Sequence, residues 1–302
     1  MDRIDKLLQG SIDLHIHPAP SLMERSVDTW EAAEEASAAG MRAIVFKDHH
    51  LNTAPLAEIS NKHAKISGNF QAFGSVCLNN SMGGLNPYAL DTAIKLGAKQ
   101  VYFPTISGKR HISLFSSVSV RPEEFVSTRV PPMTEVPISV FDEGGELKEV
   151  VKRIINMIAD ADIMLATAHL DFDETLAVVK FAKEVGVKKL VMTHLPMFTT
   201  MDKAGLQKIM DLGLGIVEMT YQLLLPLTPE KYRFTPELMA DYIRFFGADR
   251  TAFSTDFGHI SCPKPVEGMR MSIEMLIDQG FSDDEIELMI KKNPAMLLGI
   301  DN

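Results

Sequence analysis

Short apolar or alternating runs recur eight times along this chain, near residues 12–17, 43–49, 71–77, 100–105, 163–169, 188–194, 214–220 and 251–256. Most are followed by a stretch with helical periodicity, at 28–39, 55–66, 87–96, 146–159, 173–185, 203–212 and 235–246. The stretch at 146–159 shows the pattern well: Leu147, Val150, Val151, Ile154, Ile155 and Ile158 fall on one stripe, as an amphipathic helix requires. Strand starts lie 25 to 37 residues apart, with one exception. A helix between two strands carries the chain back to its starting edge, so such strands pair in parallel. Eight units of this kind predict an α/β protein, a (β/α)8 TIM barrel. With 302 residues, 46% of them hydrophobic, and no linker or low-complexity stretch, a single barrel domain over 1–302 is expected.

The exception is an insertion at about 106–143, after the fourth strand. It carries Lys109, Arg110, His111, Arg121 and Arg129, with Pro122, Pro131, Pro132 and Pro137 to interrupt helix. Loops that follow barrel strands build the catalytic face, so the insertion is expected to act as a lid or substrate-binding element. The plainer alternative is a decorated loop that caps the barrel or packs against a neighbouring subunit. After the eighth strand come C-terminal helices at about 265–299: segments at 265–279 and 283–292, then Asn293-Pro294-Ala295-Met296-Leu297-Leu298-Gly299.

The chemistry is carried by histidines at strand ends. The first strand reads Asp13-Leu14-His15-Ile16-His17. Strict alternation puts Ile12, Leu14 and Ile16 on one face and Asp13, His15 and His17 on the other, with the two histidine Cα atoms roughly 6.6 Å apart. Both imidazoles can then reach one divalent ion. His49 ends the second strand, His169 the fifth, His194 the sixth, and Asp256 the eighth. Parity groups Ile163, Leu165 and Thr167 with His169, Leu190 and Met192 with His194, and Ala252 and Ser254 with Asp256, so that all these ligands aim into the barrel mouth together.

This pattern resembles the amidohydrolase superfamily of metal-dependent hydrolases, in a poorly characterised branch. The likeness covers most of the chain: Asp-x-His-x-His on the first strand, single histidines ending strands five and six, an aspartate ending strand eight, and the closing Asn-Pro-Ala-x-Leu-Leu-Gly. The resemblance implies that His15 and His17 bind the more buried metal and that His169 and His194 bind a second metal or the substrate. It also implies that Asp256 binds the first metal and shuttles protons. Two-metal members bridge their ions with a carboxylated lysine or a glutamate from strand three or four, yet residues 75–79 and 101–105 supply neither. Lys47 on the second strand shares parity with Val45 and His49. It is the candidate substitute, either as a carboxylated bridge or as a plain ammonium that contacts substrate or pairs with Asp13. His49 is taken as a ligand and His50, on the opposite face, as structural. Asp48-His49 also resembles the polymerase-and-histidinol-phosphatase superfamily.

Among the remaining polar residues, Asp13 is expected to orient one of the histidines, and Glu218 to contact substrate or form a buried ion pair. His259 falls in a loop and His63 on an exposed helix face. The turn at 79–84 offers backbone N–H groups to an anion. The expected activity is a metal-dependent hydrolase that uses metal-activated water on a small-molecule amide, lactone or ester, with Lys47 or the insertion's basic residues holding an anionic part of the substrate. The cofactor expected is a divalent metal, one or two ions, with zinc ahead of manganese, iron or nickel. The alternatives are a phosphoesterase, favoured if Lys109, Arg110 or Arg121 folds over the mouth; a zinc-dependent decarboxylase-like lyase; and a non-catalytic metal- or ligand-binding barrel. A net charge of −10 argues against nucleic acid or an anionic membrane surface as partner. Cys77 and Cys262 are too few for a disulfide framework, no run of about 20 apolar residues offers a span, and the first residues lack a signal-like apolar core. A cytoplasmic setting is therefore expected, with a homo-oligomer left open.

Overall fold

A computed structural model describes residues 2–115, 133–195, 198–199 and 202–300. Eight strands run parallel in sequence order: β1 Ile12–Ile16, β2 Ala43–Phe46, β3 Gln71–Cys77, β4 Gln100–Tyr102, β5 Met164–Ala166, β6 Leu190–Met192, β7 Ile216–Thr220 and β8 Thr251–Ser254. Between β8 and β1 the ring is drawn shut just past the strand ends, where the His17 N–H donates to the Phe257 carbonyl at 2.7 Å and the Asp256 N–H to the His15 carbonyl at 2.9 Å. The result is a nearly closed (β/α)8 barrel. Several strands stop up to three residues before the apolar runs do.

The helices are α1 Arg3–Leu8, α2 Thr29–Ala38, α3 Ala54–His63, α4 Pro87–Lys95, α5 Lys109–Phe115, α6 Glu149–Ala161, α7 Phe172–Glu184, α8 Lys203–Asp211, α9 Pro236–Phe246, α10 Pro265–Asp278, α11 Asp283–Glu287 and α12 Asn293–Leu298. Local chemistry sets several starts. Asp28 with Glu31, Asp171 with Glu174, and Ser282 with Glu285 form reciprocal capping boxes, while Pro87 and Pro236 occupy first-turn positions that need no donor. The sequence pattern does not announce α1 or α5, since six or seven residues are too few to display a helical period. α5 opens the insertion. Beyond it the returning chain pairs Ile138 with Ser107 and Lys109 through backbone hydrogen bonds. Arg121, Arg129, Pro122, Pro131 and Pro132 lie outside the described residues. No helix among the described residues is long and apolar enough to cross a membrane.

Two apolar layers result. The outer one packs strand residues such as Ile44, Phe46, Val101 and Phe253 against Ala33, Leu90, Ile154, Leu206 and Ile273 of the helices. The inner one fills the barrel with Ile12, Leu14, Ala43, Val45, Met164, Val191, Ile216 and Ala252, and is closed by Ala295, Leu297 and Leu298 of α12. Asn293 ties that helix to the start of β8, donating from Nδ2 to the carbonyls of Ala248 at 2.8 Å and Thr251 at 2.7 Å. The Asn-Pro-Ala segment therefore builds the barrel floor, opposite the histidines.

Strict alternation fails at the strands that matter most. β1 pairs Ile12 with Ala43 and Asp13 with Ile44, but then Ile16 with Phe46, so β1 holds one residue more than β2 over this stretch. That bulge leaves Ile12 and Leu14 in the inner layer but puts Ile16 in the outer one, and Asp13 does not share a face with His15 and His17. On β5 and β6, Leu165, Leu190 and Met192 also face the helices, while Met164 and Val191 face inward. Parity therefore does not aim His169 or His194. Left-handed backbone does, at Ala168 (φ 55°) and His194 (φ 57°), and Asp256 (φ 58°) shares it. Non-glycine residues adopt this conformation at a cost, and such strain collects at functional sites.

Candidate metal centre

Asp256 lies at the centre of the cluster. Its Oδ1 is 3.0 Å from His15 Nε2 and 3.0 Å from His17 Nε2, and its Oδ2 is 3.6 Å from His194 Nδ1. His15, His17 and Asp256 are all buried, and one donor atom from each lies within 4.8 Å of the others. Donors held at about 2.0–2.2 Å from a zinc ion stand roughly 3.0–3.5 Å apart, so this spacing suits the edge of a coordination shell. Buried His17 Nδ1 has no hydrogen-bond partner among the described residues.

The electrostatics agree with a cation site. Burial alone would pull His15 down, but Asp256 and Glu218, opposed by Lys47, hold it above the ordinary imidazole value. Burial would raise Asp256, yet His15, His17 and His194 keep its carboxyl well below the usual range. The two carboxylates thus favour positive charge at His15, a preference that a divalent ion held by the same group of residues would also satisfy.

Glu218, on β7, is the carboxylate that orients His15. Its Oε2 is 3.1 Å from His15 Nδ1, while Oε1 accepts from Ser254 Oγ at 2.9 Å. A carboxylate on the far nitrogen of a ligand histidine sets its tautomer and plane. Asp13, expected in that role, instead accepts from the His15 backbone N–H at 3.1 Å and from Thr255 N and Oγ1 at 3.1 and 2.5 Å. It ties the β1 bulge to the end of β8, and burial pushes it up to about 7. Lys47 does not pair with Asp13. Its fully buried Nζ sits 2.9 Å from His15 Nε2, 3.4 Å from His194 Nε2 and 4.5 Å over the Tyr102 ring, with no carboxylate within ion-pair distance among the described residues.

His49 stands at the edge of the cluster, its ring 5.0 Å from that of His17 and its Nδ1 2.9 Å from Thr105 Oγ1. It is not one of the three donors grouped above. His50 turns away toward Asp48, 3.8 Å from its Oδ1. The turn after β3 spends its N–H groups within the protein: Asn79 donates to the Cys77 carbonyl, Asn80 to Ser107 Oγ, Met82 and Gly84 to the Asn79 carbonyl, and Gly83 to the Asn80 carbonyl. His259 Nδ1 accepts from the Ser261 N–H, and His63 stacks on Trp30 at the surface. Two further residues enter the site, His111 from the insertion expected to border it and Phe198 without any signal in the sequence pattern. His111 of α5 places Nδ1 2.9 Å from His169 Nδ1, and Phe198 lies flat on His169 at 3.8 Å and 4°.

Burial holds His17, His49, His169 and His194 well below the ordinary imidazole range and takes His111 to about 4. Their unfolded values lie near 6.5, so below about pH 6.5 the unfolded chain binds the extra protons and stability falls with falling pH, by up to ~1.4 kcal/mol per pH unit for each ring. Asp13 and His15, both raised, have the opposite sign: their contribution is present at low pH and lost as pH rises through the folded values. Five rings outweigh them in the acid window. Metal-free protein is therefore expected to melt at a clearly lower temperature near pH 5 than near pH 7.5, and a higher midpoint at the acid pH would contradict this reading.

The profile of a family described as "Family of unknown function (DUF6282)" matches residues 10–217. No curated protein sequence matches the chain. Solved structures do match in fold. The probable dipeptidase PvdM from Pseudomonas aeruginosa is 12% identical, with a TM-score of 0.61 over 98% of this chain and 96% of its own. An amidohydrolase from the same organism is 14% identical, with a TM-score of 0.57 and 98% of each chain covered. A probable 2-pyrone-4,6-dicarboxylic acid hydrolase from Acinetobacter baumannii, solved with citric acid bound, is 11% identical, with a TM-score of 0.58 over 97% of this chain and 100% of its own. These likenesses show a shared (β/α)8 barrel fold, as the eight strand-and-helix units predict.

Proposed function

Because the chain belongs to the family of unknown function DUF6282, its activity has to be read from the site, and we propose that it is a metal-dependent hydrolase of small-molecule amides, lactones or esters. The observation that carries this reading is the buried donor group His15, His17 and Asp256, with Glu218 behind His15, at the C-terminal mouth of the barrel where (β/α)8 enzymes place their chemistry. His194, His169 and His49 stand ready as further ligands or substrate contacts. A divalent ion, zinc ahead of manganese, iron or nickel, would supply a water that ionises near neutral pH and would polarise the scissile oxygen.

The chain's own groups do the rest. Asp256, kept ionised by its histidines, accepts the proton of the attacking water and returns it to the leaving group. Glu218 holds His15 in plane, and the Phe198 and Tyr102 rings wall the site with apolar surface. The Lys47 ammonium, which lacks a carboxylate partner, is suited to an anionic part of the substrate. A fold neighbour named for a dicarboxylic acid and solved with citric acid is in keeping with that choice. Arg110, whose Nε donates to the Phe198 carbonyl at 3.3 Å, borders the same side.

Metal analysis of the purified protein tests the reading. One to two equivalents of a transition metal are expected, because so many inward polar groups are costly without an ion to pair them. Less than about 0.2 equivalents, with no uptake on adding zinc or manganese, would remove the metalloenzyme reading. A panel of amides, lactones, phosphate esters and carboxylic acids then separates hydrolysis from phosphoester cleavage and from CO2 release.

A further inference from the structure

We propose that His111, carried by the insertion after β4, is a positioning residue that fixes His169 in its Nδ1–H tautomer, so that His169 presents the lone pair of Nε2 to the site. This rests on the metal-binding reading above. The His169 ring is held on three sides: flat against Phe198, edge-on to His194 at 4.9 Å and 73°, and through Nδ1 to His111 Nδ1 at 2.9 Å. No group among the described residues bonds its Nε2. α5 brings the holders together, since it contributes His111 directly and its Arg110 binds the Phe198 carbonyl. The helix is itself fastened by the Lys109 N–H to the Ile138 carbonyl at 2.9 Å.

Two neutral imidazoles joined through Nδ1 share one proton, so one ring donates and the other accepts. Were His111 the donor, His169 would carry its proton on Nε2 and turn an N–H toward a cluster that already holds the Lys47 ammonium. With His169 as donor, that nitrogen is a bare acceptor able to take a cation. The cost moves to His111 Nε2–H, which is buried and has no hydrogen-bond partner among the described residues. There it lies among the rings of Phe115, at 4.8 Å, and Phe198, at 5.6 Å, and aromatic faces are weak acceptors of N–H groups. The choice of an imidazole partner also has a reason. Glu218 does the same service for His15, and a further carboxylate behind His169 would add negative charge where Asp256 and Glu218 already suffice.

The tautomer can be read directly in full-length protein labelled with 15N-histidine, from long-range 1H–15N correlations near neutral pH without metal. His169 is expected to show a protonated Nδ1 and an unprotonated Nε2. In His111→Leu the His169 population should move to the Nε2–H form and zinc affinity should fall by about 10- to 100-fold, the usual effect of removing a ligand's orienting partner. His111→Asn, whose side-chain oxygen can accept near the Nδ1 position, should restore most of both. A wild-type His169 in the Nε2–H form overturns the proposal, as does a folded His111→Leu with unchanged tautomer or with zinc affinity within about twofold of wild type. If His111→Leu does not fold, the wild-type spectrum alone decides. Wild type that binds no zinc overturns the metal reading separately, because the tautomer is measured without metal.

Discussion

Replacing His15 and His17 together by alanine should leave a folded barrel that retains no divalent ion at the buried position. The pair supplies two of the three grouped donors, and a single carboxylate, Asp256, cannot hold an ion against water. The substitution also leaves Glu218 Oε2 and Asp256 Oδ1 without their histidine partners, at a cost on the order of 1–3 kcal/mol for each unsatisfied group. A thermal melt must therefore accompany the measurement, which is metal content after incubation with zinc and desalting. Wild-type loading in the folded double variant would relocate the ion to His49, His169 and His194.

Asp256→Asn should lower turnover by roughly 10²-fold or more at matched metal content, the scale of lost general acid–base catalysis. The exchange is well suited to isolate chemistry from structure. Asparagine has the same shape, and it is among the few residues that tolerate the left-handed backbone found at this position, φ 58°. What disappears is the negative charge and the proton acceptor. The experiment compares both proteins on whichever member of the substrate panel wild type turns over. A near-wild-type kcat would take Asp256 out of the proton pathway and favour a lyase with another donor.

Eight strands are legible because burial between two layers imposes apolar runs, and the spacing between runs follows from the length of a returning helix. The histidines are legible as strand-end residues for the same reason. Their aim is legible only in part. On β8 the alternation of Ala252, Ser254 and Asp256 holds, but on β5 and β6 the turn comes from left-handed residues, and neither Ala168 nor His194 advertises that conformation by its identity. The extra residue in β1 is equally silent, which is why Asp13 looks like the partner of a histidine ring when Glu218, more than 200 positions away, holds that place. His111 and Phe198 have no periodic neighbours to mark them. Their importance arises from where α5 and the segment after β6 come to rest, a long-range property that a local pattern does not encode.

The floor of the barrel has a consequence for how the chain is made. The inner layer begins with Ile12 and Leu14, yet its stopper, Ala295 to Leu298, is made about 280 residues later. At the usual ~5–20 residues per second, the nascent chain carries this unfinished interior for roughly 15 to 60 seconds. For most of that time the first strand and the two histidines at its end lack their β8 neighbour, and for all of it they lack their lower seal. Cells that make this protein should therefore shield a partly closed, apolar cup until α12 arrives, and translation stalled short of Asn293 should release a product prone to aggregate.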